Sequence, residues 1–250
     1  MIYGLYHSAA GMMSQEYRMD TLSNNLANAD TVGFKREIAT LAQRKRADEA
    51  GVRRGPSADD LRGLSGGVWQ SSTRTDFSEA GVMQTSEPLD AAILGPGFLR
   101  VEKGGQTLLT RDGRMTMLPD GSLVAAADGA PILSDGGGPI RLNPLGGPAR
   151  VTDHGAIVQG GVELGRLGLV DVDNVNLLRK AGGGRFALNG AQLTDSPAEI
   201  LPGHVERSGS EPVREMVSMM EASRAYQFNA QMITLQDQSA GRLIAFVAGA

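Results

Sequence analysis

The middle of the chain is written in tight turns, and no other feature limits the fold as much. Between residues 76 and 203 the segments "EKGGQT", "TRDGRM", "LPDGSL", "AADGAP", "SDGGGP" and "TDHGAI" follow one another. Short apolar or alternating runs flank them: "GFLRVE", "RMTML", "SLVAA", "PIRL" and "RLGLVDV". Asp-Gly and Gly-Gly supply the positive φ angles that close a hairpin. Such turns at intervals of roughly 8–12 residues predict an all-β sandwich or barrel over residues 76–203. The composition fits: there are 34 glycines in 250 residues and aromatics are 4%. Many turns with few large anchors suit short strands better than a helical bundle.

The two ends follow another rule. Ile2, Leu5, Ala9, Met12, Met19 and Leu26 recur at three- and four-residue steps, with Glu16 and Ser23 as polar breaks. Met216, Met219, Tyr226, Ala230, Ile233, Ala240, Ile244 and Val247 do the same at greater length. A spacing that averages about 3.5 residues over several heptads predicts a coiled-coil seam. Ser208 and Glu211 fit a capping box for the second helix, with Pro212 in its first turn. The expected fold is therefore mixed: a central all-β domain whose N- and C-terminal α-helices pair as a coiled-coil-like assembly domain. The expected divisions are 1–32 for the N-terminal helix, 33–75 for a polar connector, 76–203 for the β domain and 204–250 for the C-terminal helix. Two helices offer a small core and short helices are marginal alone. Their apolar stripes should be buried against other copies, and the Met-rich run "REMVSMMEASRAYQ" suits an adaptable contact.

Chemistry that would mark an enzyme is thin. There is no cysteine, which excludes disulfides, thiolate catalysis and Cys metal sites. His7, His154 and His204 are far apart and have no metal-ligand spacing. "GPGFLR" lacks the third glycine of a dinucleotide fingerprint, and "RKAGGGRF" lacks the Lys-Ser/Thr of a phosphate loop. Asp112, Asp120 and Asp128 are imaginable acid/base groups of a secreted hydrolase or a carbohydrate-binding module. Each precedes Gly in a turn, which already accounts for it. No cofactor or metal is expected. A net charge of −4 gives no reason to expect nucleic acid. The cations Arg44, Lys45, Arg46, Arg53 and Arg54 lie in the connector without aromatic neighbours, as a solvated stretch or a contact to an acidic neighbour. No run of about 18 apolar residues predicts a membrane span, and "MIYGLYHSAAGMM" lacks the basic start of a cleaved leader.

One stretch resists a purely helical reading. "LSNNLANADTVGFK", residues 22–35, puts Asn24, Asn25 and Asn28 into a helix, where asparagine competes with the backbone. Gly33 would supply a left-handed stop. The asparagines would act as register pins between subunits, as a buried Asn does in coiled coils.

These residues resemble the N-terminal signature of the flagellar rod and hook protein family. Asn24, Asn25, Ala27, Asn28, Thr31, Gly33, Phe34 and Lys35 match its Asn-Asn-x-Ala-Asn and Thr-x-Gly-Phe-Lys elements. "EPVREMVSMMEASRAYQFNAQMI" at 211–233 is similar to the C-terminal signature through Val213, Met216, Met219, Arg224, Tyr226, Asn229 and Ile233. "GVMQTSEPLDAAILGPGFLRVE" and the run to residue 124 resemble the opening of the family's β domain. The resemblance implies a non-enzymatic subunit of the basal-body rod, exported unfolded through the flagellum's own type III apparatus without leader cleavage. It implies helical polymerisation in the periplasm with copies of itself and other rod proteins. Length and connector are most like a proximal-rod member, with a distal-rod or other axial protein as the alternative. The assembly residues it implies are Leu5, Met12, Met19, Asn24, Asn25, Leu26, Asn28, Gly33, Phe34, Met216, Met219, Tyr226, Asn229, Ile233 and Ile244.

Overall fold

A computed structural model describes residues 2–45 and 67–248. Two long helices stand at the ends, α1 (Ile2–Ala27) and α2 (Pro212–Ala248), and the described residues between them form mainly short strands. The chain separates into two compact units. A helical unit gathers Met1–Ala27, Glu37–Arg74 and Pro212–Ala250; a β unit gathers Asn28–Arg36 and Thr75–Glu211. Of the connector cations, Arg46, Arg53 and Arg54 lie outside the described residues.

In the helical unit α1 and α2 run antiparallel. A Cβ on Gly4 would lie 2.9 Å from Gln236, one on Gly11 would lie 2.8 Å from Asn229, and Arg18 reaches Glu221 at 3.9 Å. As the number rises on one helix it falls on the other. Gly4 and Gly11 are seven residues apart, as are Asn229 and Gln236, so one contact repeats every two turns. Gly4 and Gly11 thus face polar side chains of α2, and Ser8, Ser14 and Ala222 are buried in the two helices. Strand β1 (Glu37–Gln43) pairs with β2 (Val68–Thr75), and Thr40 Oγ1 donates to the Ser72 carbonyl. These strands occupy both ends of the stretch expected as a connector.

α2 starts at Pro212, whose missing N–H costs nothing in the first turn. The capping box does not form. Ser208 Oγ instead donates to the Asn28 carbonyl (2.8 Å) and accepts from the Ser210 N–H (3.1 Å), inside the β unit. Glu211 directly precedes the helix, so the sequence pattern is offset from the real start. Among the described residues no helix is long and apolar enough to cross a membrane.

The β unit is built from the hairpins that the turn residues predict. Strands Phe98–Lys103 and Gln106–Thr110 pair with Lys103 opposite Gln106. Gly104 and Gly105 close the loop at φ 60° and 74°, the two positive values a type I′ turn needs. This hairpin sits at the centre of a six-stranded sheet in the order 179–182, 185–187, 106–110, 98–103, 169–172, 193–195. Smaller two- and three-stranded sheets complete the unit. One core forms around Leu99, Val101, Leu123, Ile132, Ile157 and Ile200. A second forms around Phe98, Leu109 and Phe186, where Phe77, Phe98 and Phe186 pack edge-on or tilted. Three of the six phenylalanines are thus drawn into one cluster, which is how a chain poor in aromatics still anchors a sheet.

Candidate assembly surfaces

The Thr-x-Gly-Phe-Lys element lies in the β unit rather than at a helix end. α1 stops at Ala27, and a turn follows in which the Thr31 N–H donates to the Asn28 carbonyl (3.1 Å). Gly33 is left-handed at φ +65°, as expected of a glycine there, but it is six residues past the helix and does not stop it. The cause is close approach. A Cβ on Gly33 would lie 2.4 Å from the carbonyl carbon of Arg111 and 2.5 Å from the nitrogen of Asp112. Only a residue without a side chain lets the strand of Glu206 take the Gly33 N–H, which donates to the Glu206 carbonyl at 2.8 Å.

The next two residues complete the anchor. Phe34 is buried, with the Lys180 ammonium 4.2 Å from its ring centroid. Lys35 is 1% exposed and Glu206 is 2% exposed. Lys35 Nζ donates to Glu206 Oε1 (2.6 Å) and to the Ser78 carbonyl (2.8 Å). The other carboxylate oxygen accepts from Arg111, whose guanidinium also donates to the carbonyls of Ile93 and Gly95. Burial pushes the Lys35 ammonium below its usual range, against the opposing pull of the Glu206 carboxylate. Sequence reading missed this triad because its members are separated by tens of residues along the chain.

The asparagines divide. Asn25 is fully buried. Its amide nitrogen donates to the Glu37 carbonyl and its oxygen accepts from the Glu37 N–H, each at 2.8 Å. Asn25 therefore fixes β1 against α1 within the chain. Asn24 is exposed and Asn28 half-buried.

The expected seam residues fall into groups. Met12, Met19 and Leu26 on α1 and Met219, Tyr226, Asn229 and Ile233 on α2 are half-buried. Leu5, Met216 and Ile244 are exposed. Gly33 and Phe34 are packed inside the β unit, where they position the chain. Unforeseen was a second apolar stripe. Val213, Val217, Met220, Phe228, Leu235 and Phe246 project away from the side of α2 that carries Ala222, Asn229 and Gln236. All six are exposed, Phe228 by 66%. Their steps of three and four, or sums of these, were legible, but two stripes on one helix read as a single wide one. α1 also has a second face. Tyr6 and Met13, seven apart and both exposed, look into a groove of about 770 Å³ whose other wall is Arg44 with Trp69 and its neighbours on β2.

Comparison with known proteins gives these surfaces a context. Residues 5–35 match the family of flagella basal body rod proteins, and residues 201–245 match the C-terminal region of the flagellar basal body rod FlgEFG proteins. The chain is 35% identical over 231 residues to the flagellar basal-body rod protein FlgF of Caulobacter vibrioides, covering 92% of this chain and 91% of that protein. The chain belongs to the flagellar basal-body rod protein family. It is also 31% identical to FlgF of Mesorhizobium japonicum (92% and 91% covered) and 30% identical to FlgG of Buchnera aphidicola (97% and 99% covered). A member of the rod family is a structural subunit of the flagellar basal body and not an enzyme. The turn aspartates of this rod protein behave accordingly. Asp112, Asp120 and Asp128 each accept from the backbone N–H two residues on, at 3.0–3.2 Å.

Proposed function

We propose that this rod subunit is of the FlgF type and stands in the proximal part of the rod. The alignments carry this reading. The one to Caulobacter FlgF runs over 231 positions, hardly more than the 92% of the chain it covers. The one to Buchnera FlgG runs over 261 positions, more than the 250 residues of the chain, so positions of that protein have no counterpart here. The subunit passes unfolded through the flagellar type III apparatus, keeps its N-terminus and assembles in the periplasm with copies of itself and other rod proteins. α1 and α2 act as a coiled-coil-like pair, supported by the seven-residue repeat of Gly4 and Gly11 against Gln236 and Asn229. The half-buried Met12, Met19, Leu26, Met219, Tyr226 and Ile233 tighten when neighbours pack, and Leu5, Met216 and Ile244 meet them directly. A distal-rod position is the alternative.

The test is position. A small tag beside Leu145, which is 95% exposed, should appear in cryo-EM maps of the motor at the membrane-near end of the rod. Extra density in the distal segment would place the chain there instead.

A further inference from the structure

We infer that the outward stripe of α2 docks into the groove between α1 and β2 of a second copy of this chain, with Arg224 set against Glu16 and Asp20. This rests on the reading that copies meet through the helical unit. Three observations carry it. The first is that each chain holds both halves of the contact, and both are exposed among the described residues. The stripe of Met220, Phe228 and Leu235 is exposed, and so are Tyr6, Met13 and Trp69 at the groove, Met13 by 70%. Exposed apolar faces of this extent mark interaction sites.

The second is charge. The α1 wall of the groove carries Glu16 and Asp20, one turn apart, and the opposite wall carries Arg44. The stripe is interrupted by the neutral Gln231 and Gln238 and by two cations: Arg224 lies four residues after Met220 and four before Phe228, and Arg242 lies seven after Leu235 and four before Phe246. An arginine that must leave water on docking needs a carboxylate partner, and Glu16 and Asp20 supply two.

The third is length. From Arg224 to Leu235 α2 rises about 17 Å, and from Ala9 to Asp20 α1 rises by the same amount. An antiparallel alignment that sets Arg224 beside Asp20 therefore sets Leu235 beside Ala9, where small side chains leave room for it. A ridge on one copy entering a groove on the next is a heterologous contact. Such a contact does not close on itself in pairs and propagates along an axis.

The absence of cysteine makes the test direct. Full-length Ala9→Cys and Leu235→Cys variants are expressed together in place of the natural chain, and isolated basal bodies are oxidised. The expected product is a disulfide-linked pair containing one of each variant, several-fold above either same-variant pair. Arg224→Glu should reduce it at least tenfold without loss of helical circular dichroism, and Glu16→Arg with Asp20→Arg should restore it. Basal bodies that hold the chain but yield no mixed pair overturn the docking and leave the rod reading standing. A crosslink from the Leu235→Cys variant to a different rod protein, or a mixed pair indifferent to Arg224→Glu, overturns it too. Basal bodies lacking the chain altogether overturn both readings.

Discussion

At the scale of single residues, the Gly-Phe-Lys element works by position rather than by reactivity. Gly33 combines a left-handed backbone with a neighbouring main chain 2.4 Å from where a Cβ would lie. An alanine there meets both a conformational penalty of about 1–2 kcal/mol and a clash that no rotamer relieves. Gly33→Ala should lower stability by about 3 kcal/mol, the range of severe single-site effects, as read by urea denaturation. Glu206 bonds both Lys35 and Arg111, one through each carboxylate oxygen. Glu206→Gln leaves two buried cations short of a counter-charge and should cost about 3–5 kcal/mol, as breaking a buried pair does. A mild loss, below about 1 kcal/mol, would mean the triad contributes no more than a surface pair. Asn25→Ala removes both partners of the Glu37 backbone. The expected result is early amide exchange in β1 while the sheet around Phe98 stays protected.

Between elements, two contacts can be tested separately. On α1, Gly11 lies so close to the Asn229 side chain that a larger residue must displace it. Gly11→Leu should destabilise the pair by about 1–3 kcal/mol, the usual cost of overpacking, and lower the helical signal before the strand signal on heating. In the β unit, Arg185 binds Asp128 through both carboxylate oxygens, and Lys103 adds a bond of 2.9 Å. Burial alone would push the Asp128 carboxyl up. The hydrogen bonds from Arg185 and Lys103 outweigh it and hold the group at about 2, below its usual 3.8. A carboxyl whose folded pKa is depressed stabilises fully above its unfolded value and loses that effect as pH falls through the folded one. The stability difference between the natural chain and Asp128→Asn should therefore be constant above about pH 5 and close between about pH 4 and pH 2. A gap unchanged across that window would show that the carboxylate charge is not what joins these strands.

For the whole molecule, the division into units says which parts can be removed. Residues 28–36 belong with the β unit, since Gly33, Phe34 and Lys35 are buried there. A chain lacking residues 1–27 and 212–250 should keep its β fold, shown by strand circular dichroism and cooperative melting. It should fail to restore motility to cells without the natural protein. Removing residues 28–36 as well should abolish cooperative melting, because the Lys35 partner of Glu206 goes with them.

How much of this was legible in the chain depends on the distance between the residues concerned. Turn chemistry acts over two to four residues, so the hairpin at Gly104 and Gly105 and the backbone-binding roles of Asp112, Asp120 and Asp128 could be read directly. Helix periodicity acts over one or two turns, so α1 and α2 were readable, and the signatures at both ends resembled the rod family that the comparisons then established. Contacts across the chain left no local mark. Whether Asn25 faces a neighbour or the Glu37 backbone, why Gly33 must be bare, and that Lys35, Arg111 and Glu206 share one buried site were settled only when the backbone brought those positions together. The same holds for the two stripes of α2. Periodicity shows that a helix has an apolar side, but only packing against α1 decides which side is covered and which is left for a partner.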